Sequence, residues 1–132
     1  MEKPTLNKDI QNPLDFLPLS QPVFHILLAL ADEDRHGYGI IKEVEARTNG
    51  KLVLKPGTLY QAIHRLLQAG LLVEVTDKNK DEITDSRRRI YHLTQFGQQV
   101  IIAETERLEE LVRQVQRKNI LDEGDLKSDF RL

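Results

Sequence analysis

Between Pro56 and Leu72 the chain reads PGTLYQAIHRLLQAGLL, and its polar side chains have the spacing of one helical face. At about 100° per residue, Thr58, Gln61, His64, Arg65 and Gln68 fall together, with Tyr60 at the border. Leu59, Ile63, Leu66 and Leu67 share the opposite face, with Ala62 on its flank. The polar face offers hydrogen-bond donors and acceptors, one fixed positive charge and no carboxylate. Phosphates and base edges favour such a surface, because an acid there would repel a polyanionic backbone. Taken alone, the same stretch is also an ordinary amphipathic helix with a solvated face, so what surrounds it has to decide.

Other chemistry is poorly served. The chain has no G-x-G-x-x-G, no P-loop, no G-x-S-x-G and no H-E-x-x-H. Its four histidines, His25, His36, His64 and His92, are scattered over different segments, and no two of them have helical ligand spacing. Tyr38, Tyr60 and Tyr91 suit packing and phosphate contact better than catalysis. No enzyme activity, metal or other cofactor is expected. With no cysteine, disulfides and thiolate zinc sites are excluded, which fits a reducing cytoplasm. No apolar run approaches the roughly 20 residues that span a bilayer, so no membrane partner is expected.

The elements around the helix follow from pattern and punctuation. Gly70 suits a left-handed residue after the last turn. Leu72 to Val75 and Arg89 to Leu93 then alternate as two strands of a hairpin, joined by the polar stretch TDKNKDEITDSRR. Such a hairpin beside the helix would be a wing, with Lys78, Lys80, Arg87, Arg88 and Arg89 bringing positive charge near a flanking phosphate. Asp77, Asp81, Glu82 and Asp85 between them give the loop the composition of a solvated tip. Consecutive strand residues face opposite ways, so two of the three arginines can reach phosphate.

Upstream, residues 1–19 carry Pro4, Pro13 and Pro18 and no helical period; they read as an arm, with Leu14, Phe16 and Leu17 available to dock on a neighbour. Ser20 looks like an N-cap with Pro22 in the first turn. The helix through Ala31 is apolar around most of its circumference, through Val23, Phe24, Ile26, Leu27, Leu28 and Leu30, and belongs at the centre of the core. A second helix is expected from Tyr38 to Thr48, with Ile41 and Val44 inward, stopped by Asn49-Gly50. The link from Lys51 to Lys55 could add a brief strand through Leu52, Val53 and Leu54. Three short helices with a short link between the second and third match helix-turn-helix geometry.

Thr94 caps a final helix extending from Gln95 to about Lys118. Its stripe contains Phe96, Val100, Ile101, Leu108, Leu111, Val112 and Val115. Ile101, Leu108 and Val115 repeat every seven residues, as a helix–helix seam requires. Glu104, Glu106, Glu109 and Glu110 interleave with Arg107, Arg113 and Arg117, which reads as a charged outer face with i, i+4 pairing. A helix of roughly 24 residues is about 36 Å long and outreaches so small a core. Part of the stripe, Val100, Ile101, Leu108, Leu111, Val112 and Val115, is therefore assigned to a second copy.

Charge is distributed unevenly. The 132 residues are 30% charged and 39% hydrophobic, ordinary for one globular domain with a peripheral helix, and the formal net charge is −2. Residues 1–50 hold 5 basic and 8 acidic side chains, residues 51–92 hold 8 and 5, and residues 93–132 hold 6 and 8. Only the third containing the polar-faced helix and the hairpin is positive. Attraction to phosphate depends on that local field more than on the total.

Three blocks together, HGYGIIKEVE, PGTLYQAIHRLLQAGLL and SRRRIYHLTQFGQQV, resemble the signature of the PadR family of bacterial transcriptional regulators. The ordered set HGY, PGTLY, GLL and Y-x-L-T-x-x-G carries the resemblance, which covers the chain from about Leu19 to the end of the last helix. It implies a homodimeric winged helix-turn-helix protein, usually a repressor of near-palindromic operators. On that resemblance Thr58, Tyr60, Gln61, His64 and Arg65 occupy the recognition helix, and Arg87 and Arg88 the base of the wing. Some members use tryptophan in a ligand pore at the dimer interface; this chain has none.

The resulting expectation is a mainly α chain with a small β-hairpin (α+β). It would have an arm (1–19), a winged helix-turn-helix domain (20–93), a long C-terminal dimerisation helix (94–119) and an acidic tail (120–132). As a homodimer it would bind double-stranded operator DNA through the helix 58–69 and the wing 72–93. Gln61, His64 and Arg65 would read bases, and Lys55, Thr58, Tyr60, Lys78, Lys80, Arg87 and Arg88 would complete the contact surface. A small-molecule effector is expected between the first helix, the arm and the C-terminal helices. The alternative is a winged-helix protein-interaction module that does not bind DNA.

Overall fold

The computed structural model describes residues 11–75 and 89–120 of the chain. The wing positions Lys78, Lys80, Arg87 and Arg88, the first part of the arm and the tail from 121 onward lie outside the described residues.

Helix α1 (Gln21–Ala29) starts where the sequence places its cap: Ser20 Oγ accepts the Val23 N–H at 3.3 Å, and Pro22 sits in the first turn. It ends sooner than Ala31, because the Leu30 and Ala31 N–H groups turn back to Leu27 and Leu28. A two-residue strand β1 (Arg35–His36) leads into α2 (Gly37–Arg47), which buries Gly37, Ile40 and Val44. Asn49 and Gly50 stop α2 with φ of 55° and 78°. Helix α3 (Pro56–Ala69) buries Leu59, Ala62, Ile63 and Leu66 and closes on Gly70 in the left-handed conformation, φ 84°. Strands β2 (Leu72–Val75) and β3 (Ile90–Leu93) pair antiparallel, with Leu72 opposite Leu93 and Val75 opposite Ile90. Helix α4 (Gln95–Arg117) completes the chain as described.

The sheet has three strands in the order β1-β3-β2, with Arg35 opposite Tyr91 and His36 opposite Ile90. The expected strand through Leu52–Leu54 does not form. The Leu52 N–H donates to Thr48 Oγ1 at 3.1 Å, and the outer edge of β3 is already taken by β1. The alternation at 52–54 instead reflects one buried plug, Leu54, beside an exposed Val53.

Ile26, Leu27, Ile40, Val44, Leu59, Ile63, Leu71 and Val100 form the innermost layer of one continuous core. Val100 is fully enclosed by its own chain, so the expectation that it serves a second copy is corrected: its side chain has no surface to offer. Ile101 is partly buried against the same core. The first turns of α4 are thus part of the domain, and Thr94 and Gly97 make the junction. Thr94 Oγ1 accepts the Gly97 N–H at 3.0 Å and lies 2.7 Å from the Gly70 carbonyl, to which it donates. A Cβ on Gly97 would collide with the Leu71 carbonyl and the Leu93 side chain.

The segment before α1 docks on this chain's own last helix. A short 3-10 turn (Pro13–Phe16) brings Phe16 edge-on to Phe96, centroids 5.6 Å apart. The Leu19 N–H donates to Glu104 Oε2 at 3.3 Å. Glu104, expected on a charged outer face, is only 3% exposed. Arg107 holds both of its oxygens, Nε at 2.7 Å and Nη2 at 2.9 Å, and this pairing pulls its pKa below the usual value. The pairs along α4 are spaced i, i+3 (Glu104–Arg107, Glu110–Arg113) or span two turns (Glu110–Arg117), in place of the anticipated i, i+4.

Candidate nucleic-acid interface

The outward side of α3 is built by what its inward side must do. Leu59, Ala62, Ile63 and Leu66 are committed to the core, so helical geometry turns Thr58, Gln61, His64, Arg65 and Gln68 to the surface, and all five are exposed. Gly57, Tyr60, Gln61, His64 and Arg65 line a shallow open hollow on this side. Lys55, the residue before the helix, is exposed at its N-terminal end. No carboxylate interrupts α3.

Tyr60 is positioned from outside its own helix. Its ring and hydroxyl lie against Gly37, the first residue of α2, in the space a Cβ would fill. Gly37 is therefore a seat for Tyr60, a role that the spacing of α3 alone could not show. Its signal in the sequence is the glycine of the HGY block; Gly39, two positions on, differs in having ordinary room for a side chain. Lys42 stands over the exposed Tyr38 ring at 5.6 Å on the neighbouring surface.

Helix α2 is in turn held to α1 by Arg47. Its guanidinium grips Glu43 with two bonds of 2.9 Å and donates to His25 Nδ1 at 2.9 Å and to the His25 carbonyl at 3.2 Å. Guanidinium can only donate, so His25 Nδ1 must be an unprotonated acceptor. Burial, together with the Arg47 charge, lowers the His25 pKa below its ordinary 6.5.

The sheet flanks α3 with a second set of polar groups. Tyr91 is buried, and burial first, then the nearby Tyr60 and Glu74, push its pKa up, so the phenol stays protonated. Glu74 lies opposite Tyr91 across the β2–β3 pair and shares its face. Arg89, the residue just before β3, reaches Glu74, Nε to Oε2 3.5 Å. One arginine of the triplet is thus paired within the chain. On the opposite face, His92 Nδ1 meets Asp34 Oδ1 at 2.7 Å, tying β3 to the turn before β1. Among the described residues no group of three His, Asp or Glu side chains could hold a metal ion, and no helix is long and apolar enough to cross a membrane.

Beyond the domain, α4 carries its apolar stripe into solvent. Leu108 (39%), Leu111 (43%), Val112 (38%) and Val115 (37%) are exposed, and Ile102 (51%), absent from the expected set, is more so. Thr105, Leu108, Glu109, Val112, Arg113 and Gln116 line an open groove along it.

Three helices around one core, the third with its polar side free, and a sheet flanking that helix define a winged helix-turn-helix protein. The chain belongs to the transcriptional regulator PadR-like family, whose family model matches residues 26–103. It is 38% identical over 92 residues to the transcriptional regulator Rv3488 of Mycobacterium tuberculosis, spanning 69% of this chain and 78% of that one. A transcriptional regulator from Clostridium thermocellum is similar in structure, with 28% identity, a TM-score of 0.60 and coverage of 76% of this chain and 90% of the other. Bacillus subtilis PadR, solved in complex with operator DNA, shares the fold at 20% identity and a TM-score of 0.55, over 65% of this chain and 47% of that one.

Proposed function

We propose that this PadR-family regulator is a homodimeric repressor that binds double-stranded operator DNA. Each subunit would lay α3 in a major groove, with Gln61, His64 and Arg65 as base readers. Lys55, Thr58 and Tyr60 would position the helix, and Lys78, Lys80, Arg87 and Arg88 would serve as wing contacts. The observation that carries this reading is the free side of α3: five polar side chains, all exposed, with no acid among them, opposite a face fully committed to the core. The operator complex of Bacillus subtilis PadR, which shares the fold, supports it. The second copy would cover Leu108, Leu111, Val112 and Val115, whose exposure in the single chain leaves an apolar stripe without a partner. Two α3 helices held one helical turn apart, about 34 Å, would then meet successive major grooves.

A mobility-shift titration with duplex from the protein's own upstream region tests the reading. Saturable, salt-sensitive and sequence-preferring retention is the expected result, and no retention at low salt would overturn it. Release by a small-molecule effector belongs to the same proposal. Its site would lie between α1, the arm and the C-terminal helices, where Phe16 already packs on Phe96 and a ligand could alter the angle between two subunits and so the half-site spacing. Thermal-shift screening with aromatic acids and drug-like compounds tests it, and a compound that stabilises the protein should also weaken its grip on DNA.

A further inference from the structure

Among the described residues, the β2 strand beside α3 holds one carboxylate, Glu74, which is exposed on the sheet face it shares with Tyr91. Glu74 lies opposite Tyr91 in the β2–β3 register, and Tyr91 is near enough to both Glu74 and Tyr60 for each to disfavour its phenolate. Glu74 and the tyrosine that borders the polar side of α3 thus have Tyr91 as a common neighbour. The partner of Glu74 is Arg89, and the pair is loose: one N–O approach of 3.5 Å, with the side chains 43% and 55% exposed. An exposed single-point pair of this kind contributes little and is easily exchanged. A phosphate offers the same guanidinium a planar, two-bond contact, which is stronger.

We propose that Glu74 is an affinity-limiting counter-charge in the DNA interface, holding Arg89 in reserve. In the free protein it neutralises Arg89 and keeps that cation from adding to indiscriminate attraction. On a duplex Arg89 turns to a phosphate, and the Glu74 carboxylate is left facing the polyanion, where it opposes binding. Because phosphate contacts carry no sequence information, this opposition falls on all duplexes alike. Only sites that also satisfy the base-reading side of α3 hold the protein in spite of it. Glu74 thus limits how tightly the protein holds any duplex, and the preference between operator and bulk DNA stays with the base-reading side of α3. The inference rests on the DNA-binding reading and names an affinity-limiting residue within it.

The test compares wild type, Glu74→Gln, Arg89→Ala and the double variant on an upstream duplex and on a scrambled one, across a salt series. Glu106→Gln, an exposed carboxylate on α4 away from the sheet, controls for removal of one negative charge. Glu74→Gln should bind both duplexes about three- to tenfold more tightly and steepen the plot of log affinity against log salt by about one unit per subunit. Glu106→Gln should do neither, and the double variant should still bind more tightly than Arg89→Ala, because the carboxylate opposes the duplex with or without Arg89. If the wild type binds but Glu74→Gln matches it in affinity and slope, or gains no more than Glu106→Gln, the inference falls and the DNA-binding reading stands. If none of the proteins retains either duplex at low salt, both fall together.

Discussion

The phenol of Tyr60 occupies the place where a side chain on Gly37 would begin. A residue at the border of the polar side of α3 is thereby held by the first residue of the preceding helix. Gly37→Ala should separate stability from binding. Alanine favours the helix over glycine by up to about 1 kcal/mol, and the atom it meets is the far end of a half-exposed side chain that can swing away. The thermal midpoint should therefore move little, while affinity for the upstream duplex drops as Tyr60 leaves its position. Unchanged affinity in a mobility shift would show that Tyr60 is not part of the contact surface.

Much of this arrangement was legible in the sequence, because local rules and tertiary packing agree there. The two faces of α3, the Ser20 and Thr94 caps, the stop at Gly70 and the β2–β3 pair all follow from spacing and turn chemistry, and the structure has each of them. The misses are places where a distant partner decides. Arg35–His36 is too short to signal a strand and exists because β3 has an edge to offer. Val100 looks like its stripe-mates, but it is fully enclosed beneath the domain, while Leu108, Leu111, Val112 and Val115 are exposed. Glu104 sits three residues after Ile101 and seven before Leu111, on the stripe itself, so its burial had a visible cue that its charge obscured. The seat that Gly37 gives Tyr60 joins residues 23 positions apart, beyond the reach of any periodicity.

Gly97 makes the opposite case to Gly37. Here the obstacles to a Cβ are the Leu71 carbonyl, which is backbone, and the Leu93 side chain, both within the core junction. Neither can retreat without moving the start of α4 away from the end of α3. Gly97→Ala should destabilise the fold by about 1–3 kcal/mol, the usual range for overpacking. Thr94→Ala should cost about 1 kcal/mol through the lost cap alone. Denaturant titrations monitored by circular dichroism measure both, and a Gly97→Ala midpoint equal to that of wild type would contradict the close packing.

His25 should make stability depend on pH. Its folded pKa lies below the ordinary 6.5 because burial and Arg47 disfavour the imidazolium. The unfolded chain therefore binds a proton more readily as pH falls. The stabilising contribution is complete above about pH 6.5 and is lost as pH drops through that value toward the lower folded one. Protonation also removes the acceptor for Arg47, 2.9 Å away. Urea midpoints for wild type should decline between about pH 7.5 and pH 5.5, and His25→Asn should flatten the decline in that window. A wild-type curve with no slope there would mean that Arg47 does not need a neutral His25.

The two ends of the α4 stripe should respond differently to the same substitution. Val100→Asp puts a charge into a position with no accessible surface and no partner, so the domain should fail to fold. Leu111→Asp changes a side chain that is 43% exposed in the single chain, and the winged-helix domain has no reason to unfold. If a second copy covers the stripe, that carboxylate would be buried in the interface and association should be lost. Sedimentation velocity should then report a folded monomer where wild type is a dimer. DNA affinity should drop by about a hundredfold or more, because two α3 helices on one duplex gain from their effective concentration and one alone does not. Retention of the wild-type sedimentation coefficient by Leu111→Asp would remove the distal half of α4 from the interface and leave the spacing of the two recognition helices without a cause.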